Sequence, residues 1–172
     1  MIERRFPMSK TIYVHSGSKN IHYNISKILF NKPIGGLWAS RYTDKPFGYT
    51  SWLDWVASED YKTEYYVDQS NQHLFTLKDD VRILLIDGTD YELSADCYRE
   101  SVVSKVIGDI ISDKNAIDKE NPLFLDYSYI IKNYDAIELI HGRVYGALHF
   151  YSFNIWDADS IVVWNENVVE WL

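Results

Sequence analysis

The sequence predicts a single α+β domain, on two observations. The chain has 172 residues, of which 47% are hydrophobic, so it has the length of one domain and can bury a core. Short strand-like segments are interspersed with helical patterns, and they do not form the regular strand and helix alternation of a parallel α/β fold. The chain carries no internal repeat and no low-complexity tract, so we expect one domain over residues 1–172.

Six short segments have the composition of β-strands. The segment TIYVH, at 11–15, alternates like a strand and ends at the turn signal SGS. The segment DSIVVWN, at 159–165, is the most β-branched part of the chain, as is typical of strands. The other four predicted strands are GLWAS (36–40), HLFTL (73–77), VRILLID (81–87) and DAIELI (135–140).

Four segments have helical spacing instead. The isoleucines and leucine of 21–29 recur at i, i+4, i+7 and i+8, which predicts a helix that ends before Pro33. Trp52, Trp55 and Val56 have helical spacing behind a threonine or serine cap. The segment 94–112 carries the clearest amphipathic pattern, and 125–134 predicts a short capped helix before the strand at 135–140.

Charge and cysteine content limit the partners and the cellular compartment that we expect. The 17 basic residues are outnumbered by 25 acidic ones, and no basic stripe is visible, so we expect a protein partner rather than a nucleic acid. The lone Cys97 cannot form an internal disulfide, which suits a reducing cytoplasm. We expect no membrane segment, since no apolar run reaches about 18 residues and the N-terminus lacks a secretory h-region. The sequence gives no indication of the oligomeric state.

Common catalytic signatures are missing from the sequence. It has no Cys/His cluster or His-Glu-x-x-His run for zinc, no phosphate-binding Gly-x-x-x-x-Gly-Lys loop and no Gly-x-Ser-x-Gly elbow. The segment 87–90, Asp-Gly-Thr-Asp, lacks the rest of a calcium-binding series. We therefore expect a site that works without a metal.

Four segments together resemble one enzyme family. They are YVHSGS (13–18), GGLWAS (35–40), SWLDW (51–55) and WDADSIVVWN (156–165). In this order they resemble the ADP-ribosyltransferases of the diphtheria-toxin and PARP type, and they span nearly the whole chain. The resemblance implies an ADP-ribosyltransferase-like fold, with two small β-sheets forming a cleft and helices at its flanks. It implies a mono-ADP-ribosyltransferase that uses NAD to modify a macromolecular acceptor, as expected for a bacterial or phage effector or toxin.

The resemblance also implies which residues bind NAD. His15 would hydrogen-bond a ribose hydroxyl, and the backbone at Ser16 and Gly17 would hold the nicotinamide amide. Trp38 would stack on the nicotinamide ring, with the preceding glycines allowing close backbone approach. Ser51 would donate to the carboxamide, and Trp52 or Trp55 would close the other face. A tryptophan in a strand is also a common core residue, so Trp38 has a packing interpretation as well.

Three carboxylates are candidates for the catalytic acid. Cleavage of the nicotinamide–ribose bond passes through an oxocarbenium-like sugar, which a nearby carboxylate stabilises. Asp159 is the first candidate, and Asp157 would help to orient the acceptor because side chains at i and i+2 of a strand share a face. Glu138, in an apolar strand, is the third candidate; it has the alternative of facing solvent.

Other functions remain open at this stage. The family's most active members carry tyrosine where this chain has Trp38 and glutamate where it has Asp159. These departures favour the alternative of a catalytically decayed protein that binds a nucleotide or blocks a partner. An NAD glycohydrolase needs the same site with water as the acceptor. The last alternative is an interaction protein that binds no nucleotide.

Overall fold

The computed structural model describes residues 10–29, 32–43, 50–86, 127–140 and 156–172. Within them the predicted α+β class is confirmed: a seven-stranded mixed sheet and a two-stranded sheet are accompanied by short helices. The strands of the large sheet are β1 (Tyr13–Ser16), β4 (Leu37–Arg41), β5 (Gln72–Leu77), β6 (Ile83–Ile86), β7 (Ala136–Leu139), β8 (Ser160–Val163) and β9 (Val169–Trp171). The small sheet pairs β2 (Ile25–Leu29) with β3 (Lys32–Gly35), and the helices are α1 (Ser51–Ser58), α2 (Thr63–Val67) and α3 (Tyr127–Asn133).

The strand order brings distant parts of the sequence together. The large sheet runs β6-β7-β8-β4-β1-β5-β9, with β6 and β7 parallel and the other neighbours antiparallel. The central strands β8, β4 and β1 are adjacent, although they come from opposite ends of the chain. The three segments with the family resemblance that form strands therefore lie side by side.

Most sequence predictions within the described ranges are confirmed. All six predicted strands are present, and α1 and α3 form where helices were expected. The buried Thr50 caps α1, because its Oγ1 accepts a hydrogen bond of 3.2 Å from the Leu53 N–H. The amphipathic segment 94–112 lies outside the described residues. None of the helices in the described part of the chain combines the length and the apolar character needed to cross a bilayer.

The helix predicted for 21–29 is wrong. Ile25–Leu29 forms β2 and pairs with β3, with a register irregularity between Ile25 and Lys27. Ile28 and Leu29 are 39% and 48% exposed, so the apolar residues do not form the buried stripe that a helix would need. The bulge interrupts the two-residue alternation that would have indicated a strand.

The two faces of the large sheet have different roles. One face carries a buried apolar cluster in which Tyr13 stacks on Phe75, with ring centroids 5.5 Å apart. On β1 and β4 the alternating residues, such as Ser16 and Trp38, face the other side. Helix α1 packs against β4 and buries Leu53. The second face is thus where a cavity can form.

The glycine pair fixes the start of β4. Gly35 and Gly36 have φ values of +100° and +76°, a region that other residues rarely adopt. A Cβ on Gly35 would collide with the backbone oxygen of Asn24, and one on Gly36 would lie 2.7 Å from the Val162 side chain. The close backbone approach expected of these glycines is therefore present, and it directs Trp38 to its place in the sheet.

Asp135 joins β6, β7 and the segment after β8. Its carboxylate accepts three hydrogen bonds from Arg82, one from the backbone N–H and two from the guanidinium, each of 3.0 Å. A fourth comes from the Asn165 amide at 2.9 Å. These bonds, with those from the Arg82 guanidinium the largest cause, lower the pKa of Asp135 to about 2.

Candidate functional site

A cavity of about 270 Å³ lies on the second face of the large sheet. Strand β1 contributes His15 and Ser16 to its lining, β4 contributes Trp38, and α1 contributes Trp52. The segment before β8 contributes Asp157. Five residues predicted for the site therefore meet at one cavity. Its volume is just below the roughly 300 Å³ at which drug-sized ligand pockets begin, so it fits one ring and an attached sugar.

Trp38 forms a rigid wall of this cavity. Its indole Nε1–H donates a hydrogen bond of 3.1 Å to the Gly35 carbonyl oxygen. Its ring lies 4.9 Å from the ring of Trp156, which is almost fully buried, at a tilt of 56°. Because strand, glycine turn and neighbouring ring all fix the indole, it is pre-organised for stacking.

Lys32 and Asp157 form an ion pair at the same wall. Lys32 Nζ lies 2.6 Å from Asp157 Oδ2 and 5.4 Å from the centroid of the Trp38 ring. Both side chains line the cavity and are partly exposed, at 24% and 32%. The ammonium group thus has a carboxylate and an aromatic face as partners at once.

The Ser16 hydroxyl is the unusual polar group of the cavity. Its Oγ is buried and finds no hydrogen-bond partner among the described residues. By contrast, the neighbouring Gly17 has both backbone groups engaged: its N–H donates to Asn71 O at 2.7 Å, and its carbonyl oxygen lies 3.0 Å from His73 Nε2. Buried polar atoms are rarely left unpaired, so Ser16 Oγ stands out among the described polar atoms around the cavity.

His15 is held at both ring nitrogens by backbone carbonyl groups. Nδ1 lies 2.7 Å from Trp38 O, and Nε2 lies 3.0 Å from Ser18 O in the exposed turn after β1. Carbonyl oxygens only accept, so a neutral ring donates to one of them and the imidazolium form donates to both. Across the strand pair, the ring of His73 lies 6.2 Å away, and burial lowers the pKa of His73.

An aromatic cluster from α1, α2 and the segment between them borders the cavity; it consists of Trp52, Trp55, Tyr61, Tyr65 and Tyr66. Trp52 and Tyr66 line the cavity and meet edge to face, with centroids 5.5 Å apart. Trp55 is not among the described lining residues; it stacks behind Trp52 at 5.0 Å and 21°. Of these two tryptophans, Trp52 lines the cavity, and Trp55 packs against its ring.

Ser51 and Asp159 anchor the backbone of the segment 157–159, which carries Asp157. The Asp159 N–H donates to Ser51 Oγ at 3.2 Å, and the Ser40 hydroxyl donates to Asp159 O at 2.7 Å. Among the described residues that line the cavity, neither Ser51 nor Asp159 appears, and nor does Gly17. The two serine contacts fix the backbone next to Asp157, which does line the cavity.

Glu138 lies away from the cavity, on the core face of the sheet. It is 4% exposed and accepts two hydrogen bonds from the Arg41 guanidinium, of 2.6 and 2.8 Å. The Tyr13 hydroxyl donates to it at 3.4 Å. Burial, together with the negative charge of Glu138, raises the pKa of Tyr13 well above its usual value. The carboxylate is thus neither exposed to solvent nor available to a ligand in this cavity.

Two of the lining side chains, Lys32 and Tyr66, lie outside the four segments that resemble the family. Lys32 meets Asp157 across 125 positions of the chain, and Tyr66 reaches the cavity only because α2 folds back on α1. No local pattern encodes either contact. Within the described ranges, no group of three or more His, Cys, Asp or Glu side chains is placed to hold a metal ion.

Comparisons with protein-family models, with curated proteins and with solved structures found no match for the chain. Inference about its activity therefore rests on the cavity and on the four sequence segments that surround it.

Proposed function

We propose that the chain is an NAD-dependent mono-ADP-ribosyltransferase that modifies a protein acceptor. The observation that carries the proposal is convergence: each of the four segments that resemble this family contributes a residue to one cavity or to its immediate support. The first of these segments ends at position 18 and the last begins at position 156. Convergence is what a shared binding site requires of them.

The cavity suits the nicotinamide half of NAD. Trp38 and Trp52 offer two aromatic walls for a planar ring, and the unpaired Ser16 hydroxyl offers a hydrogen bond to a carboxamide. A volume of about 270 Å³ accommodates this half rather than the whole dinucleotide. We expect the adenosine half to lie outside the enclosed cavity.

Asp157 is the carboxylate that we propose for the chemical step. As the bond between the nicotinamide nitrogen and the ribose carbon breaks, its electron pair goes to the nitrogen and the positive charge moves to the sugar. A carboxylate beside the sugar stabilises that charge more in the transition state than in the ground state. The acceptor nucleophile then bonds the sugar carbon and loses a proton. Asp159 stays a candidate from the sequence, with its backbone anchored next to Asp157.

The surface beside the cavity favours a basic protein segment as the acceptor. The described stretch 50–71, which contains α1 and α2, carries five exposed acidic residues and one basic residue, Lys62. The acidic residues are Asp54, Glu59, Asp60, Glu64 and Asp68. A nucleic-acid backbone would be repelled by this charge, whereas arginine and lysine side chains are attracted by it and by the exposed tyrosine rings.

The test is transfer of ADP-ribose from NAD to proteins of a cell lysate, measured by mass spectrometry together with released nicotinamide. Asp157→Asn, Asp159→Asn and Glu138→Gln form a matched series, since each replaces a carboxylate by an amide of the same size. We expect Asp157→Asn to lose at least about 100-fold in rate, as for removal of a charge-stabilising group, and Glu138→Gln to keep its activity once folded. Equal activity in all three variants and the parent would overturn the proposal.

A second candidate function is binding of NAD without cleavage. The contact that favours it is the 2.6 Å ion pair, because Lys32 already neutralises the carboxylate that the reaction would use. Saturable binding with no nicotinamide release would select this function. Nicotinamide release without any labelled protein would select an NAD glycohydrolase instead.

A further inference from the structure

The Trp38 face of the cavity already holds a cation from the protein itself. The Lys32 ammonium lies 5.4 Å from the centroid of the indole ring and 2.6 Å from the Asp157 carboxylate. Trp38 is fixed by its hydrogen bond to Gly35 and by Trp156, so the ring cannot turn away from the ammonium without breaking these contacts. Any planar ligand that stacks on this face has to displace the Lys32 side chain.

We propose that this site selects a planar organic cation, such as a ring with a quaternary nitrogen, and that Lys32 is an internal competitor for the same position. The inference rests on the proposed function for the choice of ligand, because the nicotinamide ring of NAD is such a cation. It goes beyond that function by naming the charge of the ring as the selected property and Lys32 as the residue that limits affinity.

The site selects a cation because a cationic ligand replaces the positive charge that Lys32 takes away when it leaves. When a neutral ring displaces Lys32, the Trp38 face loses its cation–π contact and Asp157 loses its nearest cation. When a cationic ring displaces it, both interactions are restored by the ligand. The released ammonium group, on an already partly exposed side chain, moves into water at little cost.

The experiment compares two probes that differ in charge. The 1-methylnicotinamide cation and neutral nicotinamide are titrated against the full chain by ligand-observed NMR at constant ionic strength. Lys32→Met removes the internal cation while keeping an unbranched side chain. Lys27→Met is the matched control, because this exposed lysine lies on the same two-stranded sheet and its replacement changes the net charge equally. Asp157→Asn removes the carboxylate.

The parent protein is expected to bind the cation more tightly than neutral nicotinamide. Lys32→Met should tighten cation binding by roughly three- to tenfold, the equivalent of one lost cation–π contact and one partly exposed ion pair. Lys27→Met should leave it unchanged, and Asp157→Asn should reduce the preference for the cation to the part that the Trp38 ring contributes. Any of three results would overturn the inference. The parent could bind both probes equally, Lys32→Met could bind the cation no more tightly than the parent, or neither of these two proteins could bind the cation.

The outcomes separate this inference from the proposed function. If NAD is cleaved but Lys32→Met does not tighten binding of the cation, the inference fails and the function stands. If the cation is selected as expected but NAD is never cleaved, the transferase function fails and the inference stands as a description of the binding site.

Discussion

The buried pair of Arg41 and Glu138 should respond very differently to removal of one partner or the other. Glu138 has a side chain that is 5% exposed, whereas that of Arg41 is 44% exposed. Replacing Arg41 with methionine leaves a carboxylate in the core with only the long Tyr13 contact of 3.4 Å. Replacing Glu138 with glutamine leaves a guanidinium that water already reaches.

The magnitudes follow from this asymmetry. Breaking a buried pair so that one charge is stranded costs about 3 to 5 kcal/mol, and we take about 3 kcal/mol for Arg41→Met because the site is close to solvent on the Arg41 side. Glu138→Gln keeps a hydrogen-bond acceptor and should cost about 1 kcal/mol. In a chain of this length these values correspond to a fall in Tm of about 6 to 12 °C and about 2 to 4 °C.

Urea unfolding followed by circular dichroism measures both free energies of unfolding. The double variant Arg41→Met with Glu138→Leu is the decisive control, since apolar replacement of both partners should recover most of the loss in Arg41→Met. If Glu138→Gln proved as costly as Arg41→Met, or if the double variant recovered nothing, the carboxylate would not be the stranded charge that this argument requires.

Three further predictions concern the fold. Gly35→Ala should destabilise the protein by about 1 to 3 kcal/mol, because its φ is +100° and a Cβ would collide with a backbone oxygen; a denaturant midpoint equal to that of the parent would contradict this. Thr50→Ala should cost about 1 kcal/mol by removing the cap of α1, while Ser58→Ala at the exposed end of the same helix should cost much less in the same thermal melts. Asp135, whose folded pKa of about 2 lies below its unfolded value of about 3.9, contributes about 2 to 3 kcal/mol of stability that is present above pH 4 and lost as the pH falls towards 2. In Asp135→Asn the free energy of unfolding should therefore vary less between pH 4 and pH 2. The same pH dependence in variant and parent would show that Asp135 does not contribute this stability.

The sequence predicted elements well where one periodicity dominated. The apolar run of β8 and the capped tryptophans of α1 were found because local composition decides such segments. The segment 21–29 was misassigned because a short apolar run fits either period, and the bulge at Ile25 to Lys27 hides the alternation of the strand.

The candidate site shows the same division. His15, Trp38 and Asp157 line one cavity, and the order and spacing of the segments that carry them were the sequence signal that grouped them. The partners of those residues had no such signal, since the Lys32 ion pair joins positions 125 apart and arises only when the small sheet packs beside β8. Likewise, the Arg41 contact that occupies Glu138 could not be read from either strand alone. Tertiary contacts, unlike periodicity, produce no pattern in the local sequence.

Ser16→Ala is the sharpest single test of whether the cavity binds the nicotinamide half of NAD. The measurement is calorimetric titration with NAD, made on the parent and the variant together with their thermal melts. Because Ser16 Oγ is buried without a partner among the described residues, the account predicts that alanine leaves the free protein as stable or slightly more stable. It also predicts that NAD binding weakens by roughly 3- to 10-fold, the equivalent of one lost hydrogen bond. Unchanged NAD affinity, or no NAD binding by the parent, would contradict the claim.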